Sequence, residues 1–202
     1  MELKFHFIRT ALLLTAFVAR GQGFTYDQQS SVDETAWPYG AGAPIQLLSP
    51  YGQSFTPNLT SVNFIRLNLN DNNPGNALGA TLYLNLRADS ISGAVLATTP
   101  TVSLPSGFTG PVDFFFQSEV PLTPLSTYTF EIVVQLGSDS WNSRAGELNY
   151  AGGMVFANGL AAPGSDVWFR EGTYTVPEPS TAAIMLLGAG ALWWHRRRRR
   201  TG

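Results

Sequence analysis

Between Phe24 and Val176 the chain has no histidine, no cysteine and no lysine, and that absence limits what chemistry its residues can do. Ser-His, Cys-His and Ser-Lys nucleophile pairs each need one of the missing residues, as do thiolate and imidazole metal sites. Carboxylate chemistry remains. Glu119, Glu131 and Glu147 could supply the two acids of a glycoside hydrolase, one protonating the leaving group while the other acts as base or nucleophile. Nothing in their spacing marks a pair, and solvated surface acids explain them as well.

Oxygen ligands are the next chemistry to weigh. In "LNDNNPGN", Asp71 and Asn73 are candidate calcium ligands, flanked by Asn72 and Asn76. The Asp-x-Asx-x-Asx-Gly order of a calcium loop is absent, and Asn, Asp, Pro and Gly are also what a plain turn needs. Structural calcium is thus the one cofactor the sequence admits, with a hairpin turn as its rival. Trp37, Trp141 and Tyr150 are candidate glycan contacts, because flat aromatic faces beside Asn, Asp and Ser donors can hold sugar rings in water. "GSDSWNSR", around Trp141, is the most exposed-looking setting. The competing reading is that such rings, Trp168 and Phe169 included, are core.

These residues must be positioned by strands. From Phe24 to Val176 no long stretch has helical period, and prolines and glycines punctuate short apolar runs, the pattern of an all-β sandwich. Strands are predicted at 52–56, 61–68, 80–88, 95–98, 112–117, 127–135 and 166–174. In "TLYLNLRA", Leu82, Leu84 and Leu86 share one face. In "SVNFIRLNLN" the inward set is Ile65, Leu67 and Leu69, and "DNNPGN" turns the chain between these two strands. In "DFFFQ", Phe114 and Phe116 face one way and Phe115 the other, which predicts a strand covered on both faces.

The two ends differ from this body. Residues 1–23 run from Lys4 and Arg9 through an apolar stretch, Ala11 to Ala19, to small residues at Gly21 and Gly23, the order of a secretory signal peptide. At the other end "VPEPS", Val176, Pro177, Glu178, Pro179 and Ser180, precedes an uncharged run, 181–194, predicted to be a transmembrane helix. As a helix it covers only about 21 Å, short against a bilayer core of about 30 Å. The tail 195–200 carries Arg196, Arg197, Arg198, Arg199 and Arg200, a stop signal that keeps the arginines in the cytoplasm and the body outside. Pro177 and Pro179 bias Val176 and Glu178 toward extended backbone, a form that a processing enzyme can grip.

Apart from that tail and the leader, the chain is acidic. Only Arg66, Arg87, Arg144 and Arg170 are basic between Phe24 and Val176, against twelve acidic residues, a net charge of −8. Such a body excludes a nucleic-acid partner, which rewards clustered cations.

The order "VPEPS", apolar helix and arginine cluster resembles the PEP-CTERM sorting signal of Gram-negative bacteria that secrete exopolysaccharide. The resemblance implies export, an intermediate held in the inner membrane, and processing near Pro177 by an exosortase, a membrane transpeptidase-like cysteine protease, with release or transfer of the body to the cell surface. More diffusely, "GQSFTPNLTSVNFIRLNL", "SGAVLATT", "PLSTYTFEIVV", "YAGG" and "DVWFREGTY" resemble the jelly-roll bodies of choice-of-anchor surface proteins. The expected organisation is a signal peptide (1–23), a jelly-roll-like antiparallel β-sandwich (24–175) and a sorting signal (176–202). The expected role is non-enzymatic, binding exopolysaccharide or another surface glycan, or building the extracellular matrix. A small two-carboxylate glycan hydrolase and a protein-binding adhesin are the alternatives.

Overall fold

The structure, a computed structural model, describes residues 23–31, 42–146 and 150–176. The expected signal peptide up to residue 22, Trp37, Glu147, the sorting signal beyond Val176 and its helix 181–194 lie outside the described residues. Within them there are strands and turns and no helix. Residues Gly23–Thr175 form one compact unit.

Thirteen strands are described: β1 (Gly23–Ser30), β2 (Ala43–Pro44), β3 (Gly52–Phe55), β4 (Ser61–Asp71), β5 (Ala80–Ala88), β6 (Val95–Thr98), β7 (Val102–Leu104), β8 (Thr109–Pro121), β9 (Tyr128–Val134), β10 (Trp141–Ser143), β11 (Val155–Ala157), β12 (Leu160–Ala162) and β13 (Phe169–Thr175). They form two antiparallel sheets. In the first, β8 lies along one edge of β4 from Ser61 to Asn70. The other edge of β4 is shared: β13 takes Phe64 to Leu67, and β10 takes Leu69 to Asp71. Beyond them, β1 flanks β13 and β2 flanks β10. The second sheet runs β12, β11, β3, β9, β5, with β6 and β7 dividing the far edge of β5.

Strand alternation explains why the sheets stack. Leu82, Leu84 and Leu86 on β5 are fully buried, as are Ile65, Leu67 and Leu69 on β4, and both sets belong to one core. Each such side chain contributes about 1.5–3 kcal/mol by leaving water. Across the sandwich Phe169 packs against Phe130 at 5.3 Å and Phe55 at 6.4 Å between ring centroids. The turn between β4 and β5 is held at its start by Asp71, as the "DNNPGN" pattern predicts.

One expectation needs correction. The "DFFFQ" strand is not covered on both faces: Phe114 and Phe116 enter the core, but Phe115 is 39% exposed. The reason is position, since β8 is an outer strand of the first sheet and pairs with β4 alone.

Leu84→Ala is expected to lower unfolding free energy in urea by about 2–5 kcal/mol. Leu136→Ala, at a fully exposed turn position, should change it by no more than about 0.5 kcal/mol.

Candidate functional site

The outer face of the first sheet carries a surface that composition does not reveal. It is built by register. A β-bulge between Val62 and Phe64 resets the alternation of β4, so Val62 and Ile65 both reach the core while Phe64 turns outward. Phe64 stands in line with Phe115 on β8 and Gly172 on β13, and Gly172 with Tyr26 on β1. The adjacent outward row is Gln29, Arg170, Arg66 and Asp113. On the other side Phe24 is paired with Tyr174.

The rings close over one another. Phe24 meets Phe64 edge-on at 4.8 Å, lies 4.8 Å from Tyr174, and is parallel to Tyr26 within 4° at 6.0 Å. Phe115 lies 5.2 Å from Tyr174. Phe64 is thereby fully buried on a face with no second layer of strands among the described residues, while Tyr26 and Phe115 stay 37% and 39% exposed. Gly172 has φ +154, and a Cβ there would collide with the Thr25 carbonyl oxygen. Only glycine lets β1 approach this closely.

Arginine fastens the surface. The Arg66 guanidinium lies 4.5 Å from the Phe24 ring centroid, donates to both Asp113 carboxylate oxygens, and gives a further hydrogen bond to the Tyr26 hydroxyl at 2.9 Å. This combines a bidentate ion pair with cation–π contact. Arg170 reaches over Tyr26 at 5.0 Å and Trp168 at 5.5 Å. At the end of β13, Asn63 donates to the Tyr174 carbonyl and accepts from its N–H. The result is a cluster of edge-on, tilted and parallel rings with polar groups along one side.

The residues singled out from the sequence fall elsewhere. Trp141 is corrected from surface to core: it is fully buried and stacks on Phe108 at 6.2 Å, so its ring offers no face to a sugar. The cause is strand β10, which brings Trp141 opposite Asp71 at the end of β4. Tyr150 is half-buried, set edge-on to Phe169 at 5.3 Å, and its hydroxyl donates to Gln28.

Asp71 is nearly buried, and its carboxylate accepts from the Asn73 and Gly107 N–H groups at 2.7 and 2.8 Å and from the Ser106 hydroxyl at 3.3 Å. Burial alone would raise its pKa, but these donors outweigh it and hold the carboxyl below the usual range. With its oxygens bonded to N–H and O–H groups, Asp71 pins two turns together. Asn73 takes part through its backbone, and no group of three or more acidic residues able to hold a metal occurs among the described residues.

Glu119 and Glu131 are not brought together. Glu119 points out from the first sheet and accepts from Ser61; Glu131, on the outer face of the second, is paired with Arg87 at 2.7 Å and accepts from Asn85. The sandwich core lies between them. A shallow cleft of about 330 Å³ between Thr81, Ser103 and Ser138 has no titratable side chain in its lining.

The end of the chain supplies the other functional element. Residues 175–200 match the PEP-CTERM protein-sorting motif. That motif implies an exported protein of a Gram-negative bacterium, anchored in the membrane before an exosortase processes it. No curated protein matches the chain.

Chelator is expected to leave the thermal midpoint unchanged, since protein donors already satisfy Asp71. Asp71→Ala should cost about 1–3 kcal/mol by orphaning those N–H groups, read as a drop in the midpoint of a thermal melt.

Proposed function

We propose that the body is a non-enzymatic domain of jelly-roll kind that an exosortase delivers to the cell surface or extracellular matrix, and that it binds polysaccharide there. One observation carries the glycan reading: Tyr26 and Phe115 are exposed on an aromatic face that lies outside the sandwich core. Aromatic rings of this kind stack on the apolar faces of sugars, while Asp113 and the Tyr26 hydroxyl can satisfy sugar hydroxyls at the rim. The sorting motif supports the destination. Against the hydrolase alternative stand the separation of Glu119 from Glu131 and the ion pair that occupies Glu131. A structural matrix role uses the same surface, with polysaccharide as the material bound. An adhesin would use it to hold protein.

Affinity electrophoresis of the exported protein in gels containing the producing organism's exopolysaccharide tests this reading. Retardation should weaken about tenfold with either Tyr26→Ala or Phe115→Ala, the worth of roughly 1.4 kcal/mol per ring. Equal retardation of wild type and the double variant overturns the assignment of this face. Cell binding that free polysaccharide cannot compete away supports the adhesin instead.

Processing has its own test. Replacing Pro177 and Pro179 by alanine, or removing the exosortase from the producing cell, should leave the protein uncleaved in the membrane fraction. Normal maturation of the double-alanine variant would show that the prolines are not recognised.

A further inference from the structure

Directly beside the outward aromatic row lies an inward row: Gln28, Glu171, Ile65 and Phe114, from β1 across β13 and β4 to β8. Three of these suit a core edge, but Glu171 is a carboxylic acid with no solvent exposure. Its Oε1 accepts the Gln28 N–H at 3.1 Å, and its Oε2 has no hydrogen-bond partner. A buried charge in this position has one backbone donor to stabilise it, where a well-held carboxylate has two or three.

The groups that face Glu171 make its charge worse. Asp27 on β1 raises its pKa, and Tyr150 senses Glu171, Asp27 and Asp166 together. Ile65, opposite on β4, is apolar, and the arginines of the neighbouring row, Arg66 and Arg170, project from the other face of the sheet. Burial first, and Asp27 second, push the Glu171 carboxyl up to about 8 against the smaller opposing effect of the Gln28 N–H.

Strand β1 is the element this charge would strain. It pairs with β13 and with no other described strand, and its bulge between Tyr26 and Gln28 sits at Glu171. Asp27 also ties the strand to the Asn58 and Leu59 N–H groups at 2.7 and 2.9 Å, but an edge strand with one strand partner has fewer ladder bonds to break than a central one. β1 also carries Phe24 and Tyr26, two of the rings that complete the outer aromatic face.

We propose that Glu171 is a pH-dependent latch for β1: its neutral carboxyl seats the strand and completes the aromatic face, and its ionisation frees the strand. The folded-state pKa lies above the ordinary carboxyl value of 4.5, so the stabilisation is complete below that value and is lost as pH rises to about 8. Across that window the ratio of closed to open strand falls up to tenfold per pH unit, and above it the ratio levels off. The consequence for ligand rests on the polysaccharide reading above. The latch itself does not.

Hydrogen exchange of the β1 and β13 amides in the exported protein, corrected for intrinsic base catalysis, tests the latch without any ligand. Opening should increase up to tenfold per pH unit from pH 6 to 8 in wild type. In Glu171→Gln, which keeps an acceptor for Gln28, it should be flat. Asp27→Asn should bring the plateau to a lower pH and serves as the second variant where Glu171→Gln does not fold. Opening that is pH-independent in wild type, or equally pH-dependent in Glu171→Gln, overturns the latch. Loss of polysaccharide binding at pH 9 in wild type but not in Glu171→Gln links the two proposals; pH-dependent opening with no polysaccharide binding at any pH removes the ligand reading alone.

Discussion

Strand β4 is hydrogen-bonded along both edges and packed on both faces, and the positions of the other first-sheet strands follow from it. Its length lets β8 run beside it unbroken while β13 and β10 divide the opposite edge. One added residue near Val62 decides the use of each face. Without the bulge, Phe64 would point with Val62 into the core and Ile65 would face water; with it, Val62, Ile65, Leu67 and Leu69 all stay inside and one large ring goes out. A fully desolvated phenylalanine on an outer face needs cover, and β1 supplies it with Phe24 and Tyr26. The aromatic face and the attachment of the first strand are therefore two aspects of one packing problem.

The charge distribution follows the same geometry. The body has few cations, and two of its four arginines sit side by side in register on this face. Like charges directly opposite on neighbouring strands repel by up to about 1 kcal/mol. Here they are spread over rings, with Arg66 neutralised by Asp113 on β8. The arginines thus act as ties across β1, β13, β4 and β8. On the second sheet Arg87 plays the corresponding part, holding Glu131, Asn85's partner, and the Gly93 carbonyl. These two ion pairs lie on outer faces, and the buried polar residues include a connected group around Gln53, Asp166, Tyr150 and Glu171.

Sequence pattern reached the parts of this fold that depend on local alternation. All seven predicted strands overlap observed ones, and Ile65, Leu67 and Leu69 of β4 and Leu82, Leu84 and Leu86 of β5 point inward as alternation predicts, whereas Val62, which strict alternation sets on the opposite face of β4, reaches the core because of the bulge. What it missed has physical causes. β1, "GFTYDQQS", is mostly polar and pairs through backbone at an edge, so its sequence has no apolar period to detect. β2, β7, β10, β11 and β12 have two or three residues each, too few for periodicity. Trp141 was misplaced because its neighbours, Asp139, Ser140, Asn142 and Ser143, look solvated; they are polar because they tie β10 and its approach to β2 and β4. The aromatic face could not be read from the chain, since its members come from four separate strands and meet only through register. Its one local hint was Phe115, the middle ring of "DFFFQ", whose outward direction alternation did predict.

The first and last described strands pair with each other, with Gly23 opposite Thr175. The matched sorting motif begins at Thr175, the residue where β13 ends. All strand pairing among the described residues thus lies before the two prolines of the motif. Asn63 closes that end by bonding both backbone groups of Tyr174, which opposes fraying at the point where a membrane tether would pull. Every described strand, and every described core side chain, lies on the body's side of a cut within "PEP". A sorting motif that starts where β13 ends asks of the described sandwich that its last strand be held, and the two Asn63 hydrogen bonds to Tyr174 hold it.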